Sequence, residues 1–252
     1  MAWLGAASVA IVLPAIMVYL IAGNIYTTSE NMPLFLFITA LGVMIACWEQ
    51  FIEGVSGWTP TLVAIGSAIL VILYVFWFSR YGRYPSSQLV VGATLPVFSL
   101  KLIDGTTFST STLIGAPALI IFYRGNWCPI CTGQIKYIVS RYQDFERLGI
   151  KVMLISSQPD RHSQSIYARY SFPGIMAIDE DNQVAERLGI AVRNGLPLGI
   201  SGGYSSDTVL PTVLGTNKTG TILFADQTDN YRVRPDPQSF LAILRRTGVK
   251  SK

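Results

Sequence analysis

The chain has 252 residues, a hydrophobic fraction of 50%, a mean hydropathy of +0.42 and only 13% charged residues, about half the usual charged share. That composition excludes an ordinary soluble protein and points to membrane segments joined to a folded domain. The net charge of +4 is unevenly placed: residues 1–79 hold no Lys or Arg, and all 19 basic residues fall from Arg80 onward against 12 acids. Such an excess suits a domain facing an anionic membrane surface. No basic run with interleaved aromatics argues for nucleic acid.

Three uncharged runs come first, and a bilayer core needs about 20 apolar residues. "WLGAASVAIVLPAIMVYLIAGNIY" and "TPTLVAIGSAILVILYVFWF" meet that length, while "PLFLFITALGVMIACW" is short. The expectation is a bundle of two or three spans over about 3–25, 32–48 and 59–79, the middle one spanning or re-entrant. Pro14 is a possible kink. The first run lacks the basic start and small-residue cleavage site of a signal peptide. Trp3, Tyr19, Tyr26, Trp48, Trp58, Trp77, Tyr81 and Tyr84 fall near the run ends, as in an aromatic belt. None of the three runs holds an ionisable residue, which argues for an anchor over an ion pathway. Arg80 and Arg83 are the only basic residues on a short flank, so the positive-inside rule places the C-terminal domain in the cytoplasm. The protein is thus expected to be multi-pass in a membrane of the bacterial inner type, with the lipid bilayer as a partner.

Residues 81–88 read as a linker, and 89–249 as one α/β domain. "ALIIFY" is a buried strand, and "CTGQIKYIVSRYQDFERLG" has helical apolar spacing up to a Gly149 C-cap. Next come the strand "KVMLISS", a helix in "RHSQSIYARYSF", the strand "IMAID" and a short helix in "NQVAERLG". "TVLGTN" and "TILFAD" flank Lys218-Thr219-Gly220 as a hairpin, and "DPQSFLAILRRTG" closes with a helix. This order predicts a thioredoxin-like fold: a central mixed sheet flanked by helices, behind the N-terminal bundle. Asp160 reads as a helix N-cap, and Asp179 to Asp181 as a solvated turn.

The chemistry concentrates in "FYRGNWCPICTGQIKYI". Cys128-Pro129-Ile130-Cys131 opens a helix, where free backbone N–H groups and the helix dipole lower a thiol pKa. Pro129 fits the first turn because its missing N–H costs nothing there. Both sulfurs lie on one turn, close enough for a reversible disulfide. A zinc site needs about four ligands, and His162 is the only histidine to join the two cysteines; no metal or other cofactor is expected. Cys47, inside an apolar run, reads as a small buried hydrophobe.

Tryptophan, cysteine, two residues and cysteine after a buried strand resembles the thioredoxin motif. The wider sequence resembles the alkyl hydroperoxide reductase/thiol-specific antioxidant, or peroxiredoxin-like, family. That resemblance is carried by "VGATLPVFSLKLIDGTTFSTSTLIGAPALIIFYRGNWCPIC" (through Leu95-Pro96-Val97-Phe98 and Asp104-Gly105), "AIDEDNQVAERLGI" and "LPTVLGTNKTGTILFAD", over roughly Leu89 to Thr247. It implies a membrane-anchored thiol–disulfide oxidoreductase or antioxidant enzyme, acting on a protein disulfide or a peroxide and recharged by a thioredoxin-like or other thiol reductant. Aligned on the helix start, Cys131 takes the peroxidatic position and Cys128 that of the family's threonine. Arg124 stands where the motif begins with proline, and Pro211 where the family has an arginine. Leu210-Pro211-Thr212 resembles instead the cis-proline loop of thioredoxins.

The resemblance implies two possible mechanisms. In one, exposed Cys128 attacks a disulfide and Cys131 resolves it. In the other, Cys131 attacks a peroxide and Cys128 condenses with the sulfenic acid. Trp127 would shield the pair, and Arg124 would supply a cation. A redox sensor or membrane scaffold without turnover is the rival of another class.

Overall fold

Apolar helices must bury their surface in one another or in lipid, and the N-terminal helices bury part of theirs in one another. A computed structural model of the chain describes residues 1–22, 25–52, 57–82, 84–197 and 199–246. Arg83, expected to help orient the spans, and residues 247–249, expected to end the α/β domain, lie outside the described residues. Helices α1 (Ala2–Ala22), α2 (Pro33–Phe51) and α3 (Thr59–Leu73), the last continued by a π-helical turn over Tyr74–Phe78, pack as a bundle. All three, with α3 counted through Phe78, are long and apolar enough to cross a membrane. The α1 face bearing Ala6, Val9, Val12, Ile16 and Leu20 is buried, whereas Leu4, Ile11, Phe37, Leu62 and Trp77 point outward. Gly5 and Gly42 let α1 and α2 touch, since a methyl on Gly5 would lie 2.6 Å from the Gly42 carbonyl oxygen. α1 runs unbroken through Pro14. α2 extends past Trp48, where the expected run ends, and so includes Glu49, whose carboxylate pairs with the Met1 amine at 2.8 Å.

The rest of the chain forms β1 (Ser99–Leu102), β2 (Thr107–Ser109), β3 (Ala118–Phe122), α4 (Pro129–Ser140), α5 (Tyr142–Arg147), β4 (Lys151–Ser156), α6 (Asp160–Tyr170), β5 (Ile175–Ile178), α7 (Gln183–Arg187), β6 (Ala191–Val192), β7 (Thr208–Val209), β8 (Thr212–Thr216), β9 (Ile222–Asp226) and α8 (Pro237–Arg246). The main sheet has the order β2-β1-β5-β4-β3-β8-β9, with β3, β4 and β5 parallel at its centre. β3 alternates its side chains between two cores. Leu119 and Ile121 face α4, Phe145 and Phe240; Ala118, Ile120 and Phe122 face Leu188, Val209 and Leu214. This is the mixed sheet with flanking helices of a thioredoxin-like body.

Three local expectations need correction. The single helix foreseen from Cys131 to Leu148 is two, broken at Arg141 (φ −113, ψ 13), and Phe145 beyond the break is fully buried against Phe240. Asp160 does not cap α6; it is the first helical residue and pairs with Lys101 at 2.9 Å. Asp179 is not solvated: its buried carboxylate accepts from the Val184 and Ala185 N–H groups at 2.8 Å each, capping α7.

The bundle and the α/β body share one core. Val12, Ile16, Leu20, Val71, Tyr74 and Val75 belong to the same apolar cluster as Leu119, Ile121, Cys128, Cys131 and Ile135. Two residues of the expected linker are tied to the body: the Tyr81 N–H donates to Asp229 and the Ser86 N–H to Gln227. At the junction lies Arg232, 0% exposed. It donates to Ser79 Oγ (2.8 Å), Thr28 Oγ1 (3.0 Å), Ser29 O (3.3 Å), Glu30 O (3.1 Å) and Val75 O (3.4 Å). Beside it Arg80 pairs with Glu30 at 2.6 Å. Lysine has the charge but not the fork needed to reach acceptors on three segments. Arg232→Lys is therefore expected to destabilise the protein by about 2–4 kcal/mol, read as a lowered thermal midpoint in detergent; a wild-type midpoint would refute the latch.

Candidate redox site

Strand β3 delivers the site. After Phe122 the chain stays paired for one more residue, Tyr123 N–H to Ile155 O at 2.9 Å, and then turns through Gly125. Gln158 holds that turn: its Oε1 accepts from the Asn126 N–H at 2.8 Å, while its Nε2 donates to Tyr123 and Ser163. Cys128 is the N-cap of α4 (φ −91, ψ 111) and Pro129 its first residue. Cys131 lies inside the first turn. All three cysteines are free thiols, with Cys47 in α2.

The expectation of an exposed Cys128 is not met. Cys128 is 1% exposed and Cys131 0%. Burial works against charge on Cys131, but the Cys128 thiol donates to it, Arg234 attracts it, and the Arg124 backbone N–H and charge add to both, so its pKa is pushed down to about 5. Arg234 Nη2 sits 3.9 Å from Cys131 Sγ. Cys128 moves the opposite way, because its hydrogen bond to Cys131 and its burial both favour the thiol. The thiolate thus belongs to Cys131.

Arg124 is 6% exposed and stacked among three rings, its guanidinium carbon 4.5 Å from Trp127, 4.9 Å from Tyr231 and 5.6 Å from Tyr81. Its Nη2 donates to Gly195 O at 2.8 Å. Trp127 therefore covers Arg124 and sits over Gly125, where a methyl would meet Trp127 Nε1 at 2.6 Å. Arg124 Nε, Arg234 Nε and the Tyr81 hydroxyl are buried without a hydrogen-bond partner. All three residues feel the charges of the cysteine pair or give charge to it. Donors left unpaired beside a thiolate suit a ligand that brings oxygen acceptors.

Thr212 is buried opposite Phe122 in the β3–β8 ladder, and its hydroxyl donates to Leu210 O at 3.1 Å. The expected cis bond before Pro211 is absent: among the described residues every peptide bond is trans. The Leu210 N–H donates to Ile190 O at 2.7 Å, so the chain enters β8 extended, which the ordinary trans form satisfies. The cation does not come from the place held by Pro211; it comes from Arg234, beyond the hairpin. The sequence offered only "YRVRPDP", two arginines in a proline-bounded segment that matches no motif. Tyr231 lies in that same segment, and Tyr81, expected in an aromatic belt, sits instead beside Arg124. His162 is stacked on Tyr204 at 4.3 Å and bonds Gly202 O at 2.9 Å. Among the described residues no group of three or more His, Cys, Asp or Glu is placed to hold a metal.

Residues 91–225 match the AhpC/TSA family, more than half of the chain. The chain belongs to the AhpC/TSA family. It is 29% identical over 104 residues to a chloroplastic peroxiredoxin Q of Sedum lineare, covering 41% of this chain and 56% of that protein. It is 30% identical over 99 residues to peroxiredoxin Q of Populus jackii, covering 39% and 46%. The chain spans about half the length of these curated relatives. Among solved structures it shares its fold with peroxidoxin BcpB of Mycobacterium tuberculosis (TM-score 0.52, 21% identity, 62% of this chain and 96% of that one). A PrxQ variant of Xylella fastidiosa is similar (TM-score 0.51, 14% identity, 64% and 97%). Within this AhpC/TSA chain, Cys128, Cys131 and Arg124 fall in the matched segment, whereas Tyr81, Tyr231, Arg232 and Arg234 fall outside it.

The two sulfurs should titrate far apart. Ultraviolet thiolate absorbance is expected to fall as the pH is lowered through about 5, by one thiolate per chain, and to lose that step in Cys131→Ser but not in Cys128→Ser. A step that disappears in Cys128→Ser alone would reverse the assignment.

Proposed function

We propose that this protein is a membrane-anchored thiol peroxidase in which Cys131 is the peroxidatic residue and Cys128 resolves it. The observation that carries the reading is the setting of Cys131: a buried sulfur held as thiolate by Arg234, the Arg124 N–H and the Cys128 thiol, in an AhpC/TSA body. The trans Leu210–Pro211 bond and the raised pKa of Cys128 weigh against the thioredoxin-like order of attack.

In the first step the Cys131 thiolate attacks the terminal oxygen of a hydroperoxide. The O–O bond breaks, Cys131 becomes a sulfenic acid, and the departing alkoxide takes a proton to leave as alcohol or water. The unpaired donors of Arg124, Arg234 and Tyr81 are suited to the peroxide oxygens as charge builds on the leaving one. In the second step the Cys128 sulfur attacks the Cys131 sulfenic acid. A disulfide forms and water leaves, carrying the Cys128 proton. An external dithiol, such as a thioredoxin-like protein, then reduces the disulfide and is itself oxidised.

The three apolar helices, with their outward Leu, Ile, Phe and Trp side chains, support anchoring in a bilayer. Arg80 at the end of the third supports a cytoplasmic redox domain. The α1–α2 loop and the end of α3 meet the domain on one side, as three spans require.

With hydrogen peroxide, Cys131→Ser is expected to consume none. Cys128→Ser is expected to stop after one equivalent, leaving a sulfenic acid that dimedone traps at Cys131 by peptide mass. Dimedone adduct on Cys128 instead, or peroxide consumption by Cys131→Ser, would overturn the assignment. Reaction of wild-type Cys131 with peroxide should be nearly constant around neutral pH and be lost only as the pH falls through about 5, because the thiolate is the nucleophile.

A further inference from the structure

Residues 25–28 of the loop between α1 and α2 lie between α4 and the segment that carries Arg234. On one side, a methyl added to Gly133 of α4 would meet the Ile25 carbonyl oxygen at 2.4 Å, and the Tyr26 and Tyr137 rings lie 4.7 Å apart. On the other side the loop forms a short ladder. Thr27 Oγ1 donates to Arg234 O at 3.0 Å and accepts from the Arg234 N–H at 2.9 Å. The Thr28 N–H donates to Arg232 O at 3.1 Å. One hydroxyl thus fixes both backbone polar groups of the residue whose guanidinium touches Cys131.

We propose that the α1–α2 loop is a working wall of the redox centre, and that Thr27 is the positioning residue that holds Arg234 against Cys131. The bundle then does more than tether the domain. It supplies the contact that places the cation, and both partners of that contact lie outside the segment shared with the AhpC/TSA family. The inference rests on Cys131 being the reactive thiolate, not on peroxide being its substrate. The groups that face Cys131 are Cys128, Arg124, Arg234, Tyr81 and Tyr123; Arg234 is also opposed by Asp226. Of these, Arg234 is the one the loop holds. The hydroxyl of Thr27 bonds to the Arg234 backbone, so its effect on Cys131 is expected to pass through Arg234.

The test uses the full chain in detergent micelles or nanodiscs. The pH midpoint of Cys131 is read from thiolate absorbance and from iodoacetamide labelling mapped to the Cys131 peptide. Thr27→Val, which keeps the shape and loses the hydroxyl, is expected to raise the midpoint by roughly one unit, the scale of a loosened charge contact. Thr27→Ser is expected to restore it. Arg234→Gln is expected to raise it further, and Thr27→Val should add nothing on the Arg234→Gln background. An unchanged midpoint in Thr27→Val, or a full extra shift in the double variant, would overturn the proposal. Should Thr27→Val fail to fold, Gly133→Ala reads the same displacement, because the new methyl pushes the Ile25 backbone off α4; a wild-type midpoint there would equally refute it. Peroxide consumption is measured separately on wild type. Loss of the peroxide reading leaves the midpoint shift intact, and loss of the shift leaves peroxide turnover intact.

Discussion

The Arg232 guanidinium is the constraint on which the architecture turns. A buried arginine stays charged, and taking that charge out of water costs several kcal/mol unless every donor is met. Here the α1–α2 loop, the end of α3 and Ser79 surround it with carbonyl and hydroxyl oxygens, and the Tyr74 ring lies 5.6 Å from its guanidinium carbon. None of the three segments can move without stranding part of the fork. That is why the bundle and the α/β body form one core rather than two bodies on a tether. It is also why a segment with little regular structure, after β9, can hold Arg234 only two residues away in a fixed place.

The competition between the two sulfurs depends on that placement. Both lie at the start of α4, so the helix dipole and the free N–H groups favour a thiolate at either. Burial opposes charge at both. What separates them is the hydrogen bond in which Cys128 gives its proton to Cys131, joined by the Arg124 N–H and the Arg234 contact at Cys131, while the charges of both arginines act on both sulfurs. A local reading of Cys-Pro-Ile-Cys ranks the thiols by exposure and helix position. The structure ranks them by which one an arginine from the far end of the chain can touch.

Much of the frame was legible in the residues. The apolar runs gave three helices, "ALIIFY" and "KVMLISS" gave adjacent parallel strands, and Lys218-Thr219-Gly220 marked the last hairpin, because periodicity and turn chemistry are local signals. What escaped is long-range. Arg232 and Arg234 sit in a stretch with no periodicity, and their partners Thr27, Thr28 and Ser79 are more than 150 residues away in sequence. Asp179 was read as solvated because its acidic neighbours suggest a surface turn; two backbone N–H groups of α7 make its burial tolerable. Leu210-Pro211-Thr212 matched a motif in letters only, and the backbone there is extended and trans. Residues 81–88 read only as a linker, since the place of Tyr81 emerges only once Arg124 is folded beside it.

The spacing of Cys128 and Cys131 also bears on what oxidation does to the fold. Were both cysteines inside the helix, closing a disulfide across one turn would strain the backbone that α4 needs. Cys128 is instead the N-cap, with extended φ and ψ, and it contributes to the helix only through its carbonyl, which accepts from the Thr132 N–H at 3.1 Å. Turning its side chain toward Cys131 leaves the hydrogen-bond ladder of α4 in place. Pro129 aids this, because a proline at the first position demands no partner for an N–H and holds φ fixed. Oxidation also discharges the Cys131 thiolate. Arg234 then loses the nearer of its two anions while Thr27 and the Arg232 latch still hold its backbone, leaving a buried cation opposed only by Asp226. That imbalance disfavours the oxidised state, so in the proposed cycle the same arginine that activates Cys131 for peroxide also makes the disulfide easier for the external thiol to reduce.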